Sequence, residues 1–138
     1  MIYIIDMDAR WKKSSTCVYN LGYHIIWCSK YRRKVLVNDV ELRLKELLVE
    51  QATKNGYSIE TMEVMPDHIH IFIKCDPTDS PHKVVQQLKG FTSRILRQEF
   101  PFLTTRMPTL WTRSYYCESV GHISQSTIEK YILDQKKK

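Results

Sequence analysis

Two histidines separated by one residue, His68-Ile69-His70, open a run of alternating side chains that continues to Lys74. In an extended strand alternate residues share a face. His68, His70 and Phe72 therefore point one way, and Ile69, Ile71 and Ile73 the other. The isoleucines are the side to bury, which leaves the histidines on the open face near the start of the strand. Two imidazoles at neighbouring same-face positions can share one divalent ion. The pair alone leaves open that they are ordinary polar residues on a solvated face. A second constellation lies near the C-terminus. Tyr131 and Gln135 are four residues apart, so they occupy one helical face about a turn from each other, and Ile128 and Ile132 can anchor that helix. On spacing alone such a tyrosine packs and such a glutamine is solvated. His24, His82 and His122 stand alone and read as structural or surface residues.

The elements that must position these residues can be read from local signals. Residues 17–30, CVYNLGYHIIWCSK, are rich in β-formers and predict a long first strand. Asn38 or Asp39 can cap a helix running to about Asn55, with Val40, Leu44, Leu47 and Leu48 on one face. Asn55-Gly56 suits a left-handed stop. Tyr57 to Met65 predicts a second strand, Pro66-Asp67 a tight hairpin, and His68 to Lys74 a third strand. Ser80-Pro81 starts a helix to about Phe100, with Val84, Leu88, Phe91 and Ile95 at helical spacing. A loop covers 101–109, and Leu110 to Val120 predicts a fourth strand, broken by Gly121. Ser126-x-x-Glu129 forms a capping box for a last helix to about Gln135. The order is the split β-α-β pattern of an α+β, ferredoxin-like (RRM-like) antiparallel sheet, with two helices on one face plus one extra C-terminal helix.

The chain has 138 residues, which suits a single domain over 1–138, with 1–15 as a lead-in and 124–138 as the last helix and basic tail. That length leaves no room for a separate ATP-hydrolysing domain. The formal charge of +6 points either to a polyanionic partner or simply to solubility. Placement narrows the choice. Basic residues gather as Arg10-Trp11-Lys12-Lys13, as Lys30-Tyr31-Arg32-Arg33-Lys34, and along the helix from Lys83 to Arg97. Aromatics are interleaved in the first two clusters, a mixture suited to phosphates and exposed bases. Four widely spaced cysteines form neither a zinc pattern nor a disulfide framework. They are expected to be reduced and mostly buried in strands, as in the cytoplasm. No apolar run approaches membrane-spanning length, and Asp6, Asp8 and Arg10 interrupt any signal-peptide core.

Several motifs in a fixed order carry a resemblance. They are Tyr23-His24-Ile25-Ile26-Trp27-Cys28-Ser29-Lys30-Tyr31-Arg32, Met65-Pro66-Asp67-His68-Ile69-His70, Leu88-Lys89-Gly90 with Ser93-Arg94, Leu110-Trp111 through Ser114-Tyr115-Tyr116, Val120-Gly121, and the final Tyr-x-x-x-Gln. From about Tyr19 to Gln135 the chain resembles the HUH single-tyrosine transposases of the IS-two-hundred/IS-six-hundred-five insertion sequences. The resemblance implies that Tyr131 is the nucleophile. It implies a Mg²⁺ or Mn²⁺ ion held by His68, His70 and Gln135, and a homodimer in which the last helix acts in cis or in trans. The implied substrate is single-stranded DNA with hairpin ends. Lys30, Arg32, Arg33, Lys34, Lys89 and Arg94 are the candidate phosphate contacts. Three other readings stand beside this one: a non-catalytic RRM-like binding module, a domesticated relative processing chromosomal repeats, and a metal-dependent hydrolase using activated water.

Overall fold

The computed structural model describes residues 12–13 and 16–119. Most of the expected lead-in, the end of the expected fourth strand at Val120, Gly121, His122 and the expected last helix with Tyr131 and Gln135 lie outside the described residues. Six strands and two long helices are described. They are β1 (Lys12–Lys13), β2 (Val18–Tyr19), β3 (Gly22–Cys28), α1 (Asn38–Asn55), β4 (Ser58–Met65), β5 (His68–Lys74), α2 (Pro81–Glu99) and β6 (Tyr116–Ser119). Short 3₁₀ turns occupy Lys30–Arg32 and Pro101–Thr104. The main sheet runs β4-β5-β3-β6, antiparallel throughout. This is the ferredoxin-like order expected from the sequence.

β5 keeps the expected bounds, and its burial alternates as expected: Ile69, Ile71 and Ile73 are fully buried, while the residues between them from His68 to Phe72 are only partly covered. Ile25 and Trp27 of β3 extend the same buried face. α1 lays Val40, Leu44, Leu47, Leu48 and Ala52 on it, and α2 adds Val84, Val85, Leu88 and Leu96. Both helices therefore cover one side of the sheet and leave the other open. The buried face of α2 is turned from the expected one: Val85, Thr92 and Leu96 are buried, while Phe91 and Ile95 are only partly so.

Three expected boundaries moved, each for a physical reason. The long first strand is split. β2 pairs with β1 in a separate ribbon, and β3 begins at Gly22 because Lys74, its partner, is the last residue of β5. Neither Asn38 nor Asp39 caps α1 through its side chain. The cap position is Val37, and Asn38 takes a left-handed φ of 54° at the entry. The fourth strand is shorter than 110–120. Trp111 makes only an isolated bridge to Ser29, and its indole N–H donates to Thr92 Oγ1 at 3.1 Å. Lys89 Nζ holds the carbonyls of Thr112 and Ser114 at 2.6 and 3.4 Å. The segment is thus drawn onto α2 and joins β3 only from Tyr116. Two other expected signals stand: Gly56 ends α1 at φ 79°, and Ser80 caps α2 by accepting from the Lys83 amide at 3.1 Å.

All four cysteines are free thiols, but only Cys75 is buried, just beyond β5, where desolvation raises its pKa to about 11. No helix among the described residues is long and apolar enough to cross a membrane.

Two outcomes test this packing. Ile71 is fully buried between Ile25 and Met62 in register. Ile71→Ala is expected to cost about 2–5 kcal/mol in urea denaturation without changing the slope. Arg43 grips Glu99 through two bonds, at 2.8 and 3.0 Å, tying α1 to α2. That pairing holds the Glu99 carboxyl below its usual 4.5. In the unfolded chain Glu99 protonates at higher pH than in the native state. The contribution is therefore complete above the unfolded pKa and lost as pH falls through the folded one. Glu99→Gln is expected to make the urea midpoint less sensitive to acidification below about pH 5.

Candidate active site

The open face is organised by the ladder between β3 and β5. Cys28 stands opposite His68, Ile26 opposite His70, and His24 opposite Phe72. On the outer sides, Met65 lies opposite His68, Glu63 opposite His70, and Tyr116 opposite Ile26. His68 and His70 thus share the exposed surface of one strand, as their spacing predicted.

His68 sits at the mouth of the two-residue turn formed by Pro66-Asp67. Its Nδ1 lies 2.8 Å from Asp67 Oδ1. A carboxylate only accepts, so Nδ1 carries a hydrogen, and in the neutral ring Nε2 keeps its lone pair. Asp67 Oδ2 is held in turn by Arg32 at 3.2 Å. The bond to His68, and secondarily the Arg32 charge, hold the Asp67 carboxyl below the usual carboxylate range. The turn itself is fixed from behind. Ser29 N–H donates to the Asp67 carbonyl and Leu36 N–H to the Pro66 carbonyl, both at 3.0 Å. This is the carboxylate–histidine arrangement that orients an imidazole toward a cation and fixes its tautomer.

His70 has a different neighbour. Its Nε2 lies 3.0 Å from His24 Nδ1, one nitrogen carrying the hydrogen and the other accepting. The His24 ring is stacked on Phe72, 4.9 Å between centroids and 23° between planes. His24, read from the sequence as an isolated structural residue, is therefore part of this face. The signal was present but non-local: only the antiparallel register between β3 and β5 sets His24 diagonally beside His70. His82 does stand apart, against Tyr115 Oη at 3.0 Å.

A cation suits the donors present. His68 and His70 share the open face of one strand, and His70 Nδ1 has a lone pair for a cation in the tautomer in which its Nε2 donates to His24. No group of three or more His, Cys, Asp or Glu side chains among the described residues is arranged to hold a metal. Two imidazoles need a further ligand from elsewhere. Tyr131 and Gln135 lie outside the described residues.

The candidate phosphate contacts divide into two regions. Lys30, Arg32, Arg33 and Lys34 follow β3 directly, beside Asp67; Arg32, Arg33 and Lys34 are exposed, and Lys30 is half-buried. Lys89 and Arg94 belong to α2, across the sheet from the histidines. Arg94 is exposed and lies over the Phe91 ring. Lys89 is partly buried, which lowers its pKa, and its ammonium already serves two carbonyls.

An antiparallel sheet is covered by helices on one side and carries the two histidines on the other, beside a basic turn. Comparison with known proteins gives this arrangement a family. Residues 17–135 match the family model described as transposase, IS200-like. The ISDra2 transposase TnpA of Deinococcus radiodurans is 39% identical over 137 residues, covering 98% of this chain and 97% of that protein. The transposase of insertion sequence element IS200 from Salmonella typhimurium is 29% identical over 119 residues, covering 85% of this chain and 78% of that one. A crystal structure of a candidate transposase from D. radiodurans R1 superposes with a TM-score of 0.74 at 38% identity, covering 90% of this chain and 97% of that one. A REP-associated tyrosine transposase bound to a REP hairpin shares the fold, with a TM-score of 0.57 at 10% identity, over 87% of this chain and 67% of that one. The chain belongs to the IS200-like transposase family.

The Asp67–His68 bond has its own test. Nitrogen-correlated NMR of the metal-free protein is expected to show His68 with the hydrogen on Nδ1. Asp67→Ala is expected to release the ring to the Nε2–H form usual for a free imidazole, with the fold retained. An Nε2–H signal for His68 in the unaltered protein would contradict the assigned orientation.

Proposed function

We propose that this transposase cleaves and rejoins single-stranded DNA at the ends of an insertion sequence, with Tyr131 as the nucleophile. The observation that carries the reading is the histidine pair on the open face, with His68 oriented by Asp67, in a chain whose family moves DNA. Tyr131 and Gln135 enter through the resemblance of the Tyr-x-x-x-Gln spacing.

The chemistry follows from the residue types. The Tyr131 oxygen attacks the phosphorus, a 5′-phosphotyrosine bond forms, and the bond to the 3′-oxygen breaks. The departing oxygen takes a proton and becomes a 3′-hydroxyl. A phenol, with a pKa of about 10, is easier to activate than a sugar hydroxyl and is a better leaving group. A 3′-hydroxyl can therefore attack the phosphotyrosine and restore a phosphodiester without ATP. His68, His70 and Gln135 would hold Mg²⁺ or Mn²⁺, which supplies polarisation of the scissile phosphate and stabilisation of charge on the leaving oxygen. Asp67 keeps His68 in the tautomer that can bind a cation. On the last helix expected from the sequence, Tyr131 and Gln135 would lie one turn apart, so that moving the helix would move nucleophile and ligand together.

We further propose that the protein acts as a homodimer on DNA with hairpin ends, with the last helix in cis or in trans. β4 and β6 are the outer strands of the main sheet among the described residues, and an outer strand can pair across a two-fold axis. Similarity to ISDra2 TnpA over nearly the full length favours an element-mobilising enzyme over a domesticated relative. A purely binding RRM-like module would use its open face for stacking, and here His24 already covers Phe72.

Incubation with end-labelled single-stranded DNA carrying an element end, with Mn²⁺, is expected to yield a protein–DNA band on a denaturing gel. The band should vanish with chelator and in Tyr131→Phe, while DNA binding by Tyr131→Phe persists. His68→Ala is expected to reduce the band by about a hundredfold or more. Product with a free 5′-phosphate and no adduct would favour activated water, and cleavage persisting in Tyr131→Phe would remove the tyrosine from its role.

A further inference from the structure

The turn after β3 is more tightly built than a strand-to-helix connection requires. Ser29 is fully buried. Its hydroxyl donates to the Arg33 carbonyl at 2.6 Å, and its amide to the Asp67 carbonyl at 3.0 Å. The Lys30 amide donates to the Leu110 carbonyl at 2.7 Å, and the Arg32 amide to the Ser29 carbonyl at 2.9 Å. Inside this knot Tyr31 and Arg32 both take positive φ, 58° and 50°. Residues bearing a Cβ adopt that conformation at a cost, and bulky aromatic ones do so rarely. Two in succession persist because the surrounding bonds over-determine them.

The strained backbone displays a ring. Tyr31 is 64% exposed, more than any other large hydrophobic side chain among the described residues. Lys30 Nζ lies 5.2 Å from its centroid and Arg33 Cζ 6.0 Å. Arg32 reaches the other way, to Asp67, whose second oxygen takes the His68 hydrogen. One ion pair therefore separates the turn carrying the ring from the histidine pair.

We propose that Tyr31 is a stacking platform for an unpaired base of the DNA strand that reaches His68 and His70, with Lys30 and Arg33 neutralising the phosphates beside that base. The proposal rests on the reading of the site as one for single-stranded DNA. Exposed aromatic rings set among cations bind single strands because every base has a π-face, while the cations follow the backbone. Bases inside a duplex are already stacked on each other and offer the ring no equivalent surface. Ordinary surface charge accounts for the cations, but not for a strained turn that holds an aromatic ring outward.

Binding of the full-length protein to fluorescein-labelled oligo(dT), followed by anisotropy in EDTA over a salt series, tests the proposal. Tyr31→Gly is expected to weaken binding about tenfold or more. Its Tm should hold or rise, because glycine accepts the left-handed turn. Tyr31→Phe and Tyr31→Trp should retain the affinity of the unaltered protein. The salt dependence should be unchanged in Tyr31→Gly but shallower by about 0.7 in Arg33→Gln, the share of one phosphate on a single strand. Unaltered binding by Tyr31→Gly, or binding by Tyr31→Phe as weak as that of Tyr31→Gly, overturns the stacking role while leaving the DNA reading in place. Failure of the unaltered protein to bind oligo(dT) overturns both.

Discussion

Seven residues of β5 pair with seven of β3, from Gly22 opposite Lys74 to Cys28 opposite His68, and this ladder decides where the other groups stand. A slip of one residue would exchange the two faces of β5 and carry the histidines into the interior. The core forbids that slip. Ile69, Ile71 and Ile73 are fully buried beside Ile25 and Trp27, under leucines and valines of both helices. The apolar half of the strand thus enforces the placement of its polar half. The helices need not touch the histidines to position them.

A second constraint acts at the end of the strand. The Pro66-Asp67 turn aims a carboxylate at His68, and the segment from Ser29 to Leu36 holds that turn from outside through two backbone bonds and the Arg32 ion pair. The same segment carries four basic residues, Lys30, Arg32, Arg33 and Lys34, one of them paired with Asp67. Orientation of the imidazole and presentation of the cationic surface are consequently properties of one knot of chain. At the other end of the pair, His24 meets His70 and rests on Phe72, so each imidazole has a partner that fixes its ring.

Much of this was legible from local sequence, because it depends on local physics. Alternation placed the histidines and isoleucines on opposite faces. Ser80-Pro81 and Gly56 marked helix ends through capping and left-handed geometry, and the order of elements named the fold. What was not legible depends on contacts between distant residues. His24 has no local signal, since its role arises from register with a strand more than forty positions away. The shortening of the fourth strand depends on Lys89 and Thr92 of α2 capturing the Trp111 segment. The split of the first strand reflects where β5 ends. Lys89 looked like a phosphate contact in a basic helix, yet its ammonium serves two carbonyls. Tyr131 and Gln135 were readable only by resemblance, and they lie outside the described residues.

The physical core of the proposed chemistry is that His68 and His70 bind the same ion. Electron spin echo spectroscopy of Mn²⁺ added to the full-length protein reads this by counting coupled imidazole nitrogens. Two coupled imidazoles are expected in the unaltered protein, and one in either His68→Ala or His70→Ala at saturating Mn²⁺. A Mn²⁺ signal without imidazole coupling, or one unchanged by loss of either histidine, would contradict it.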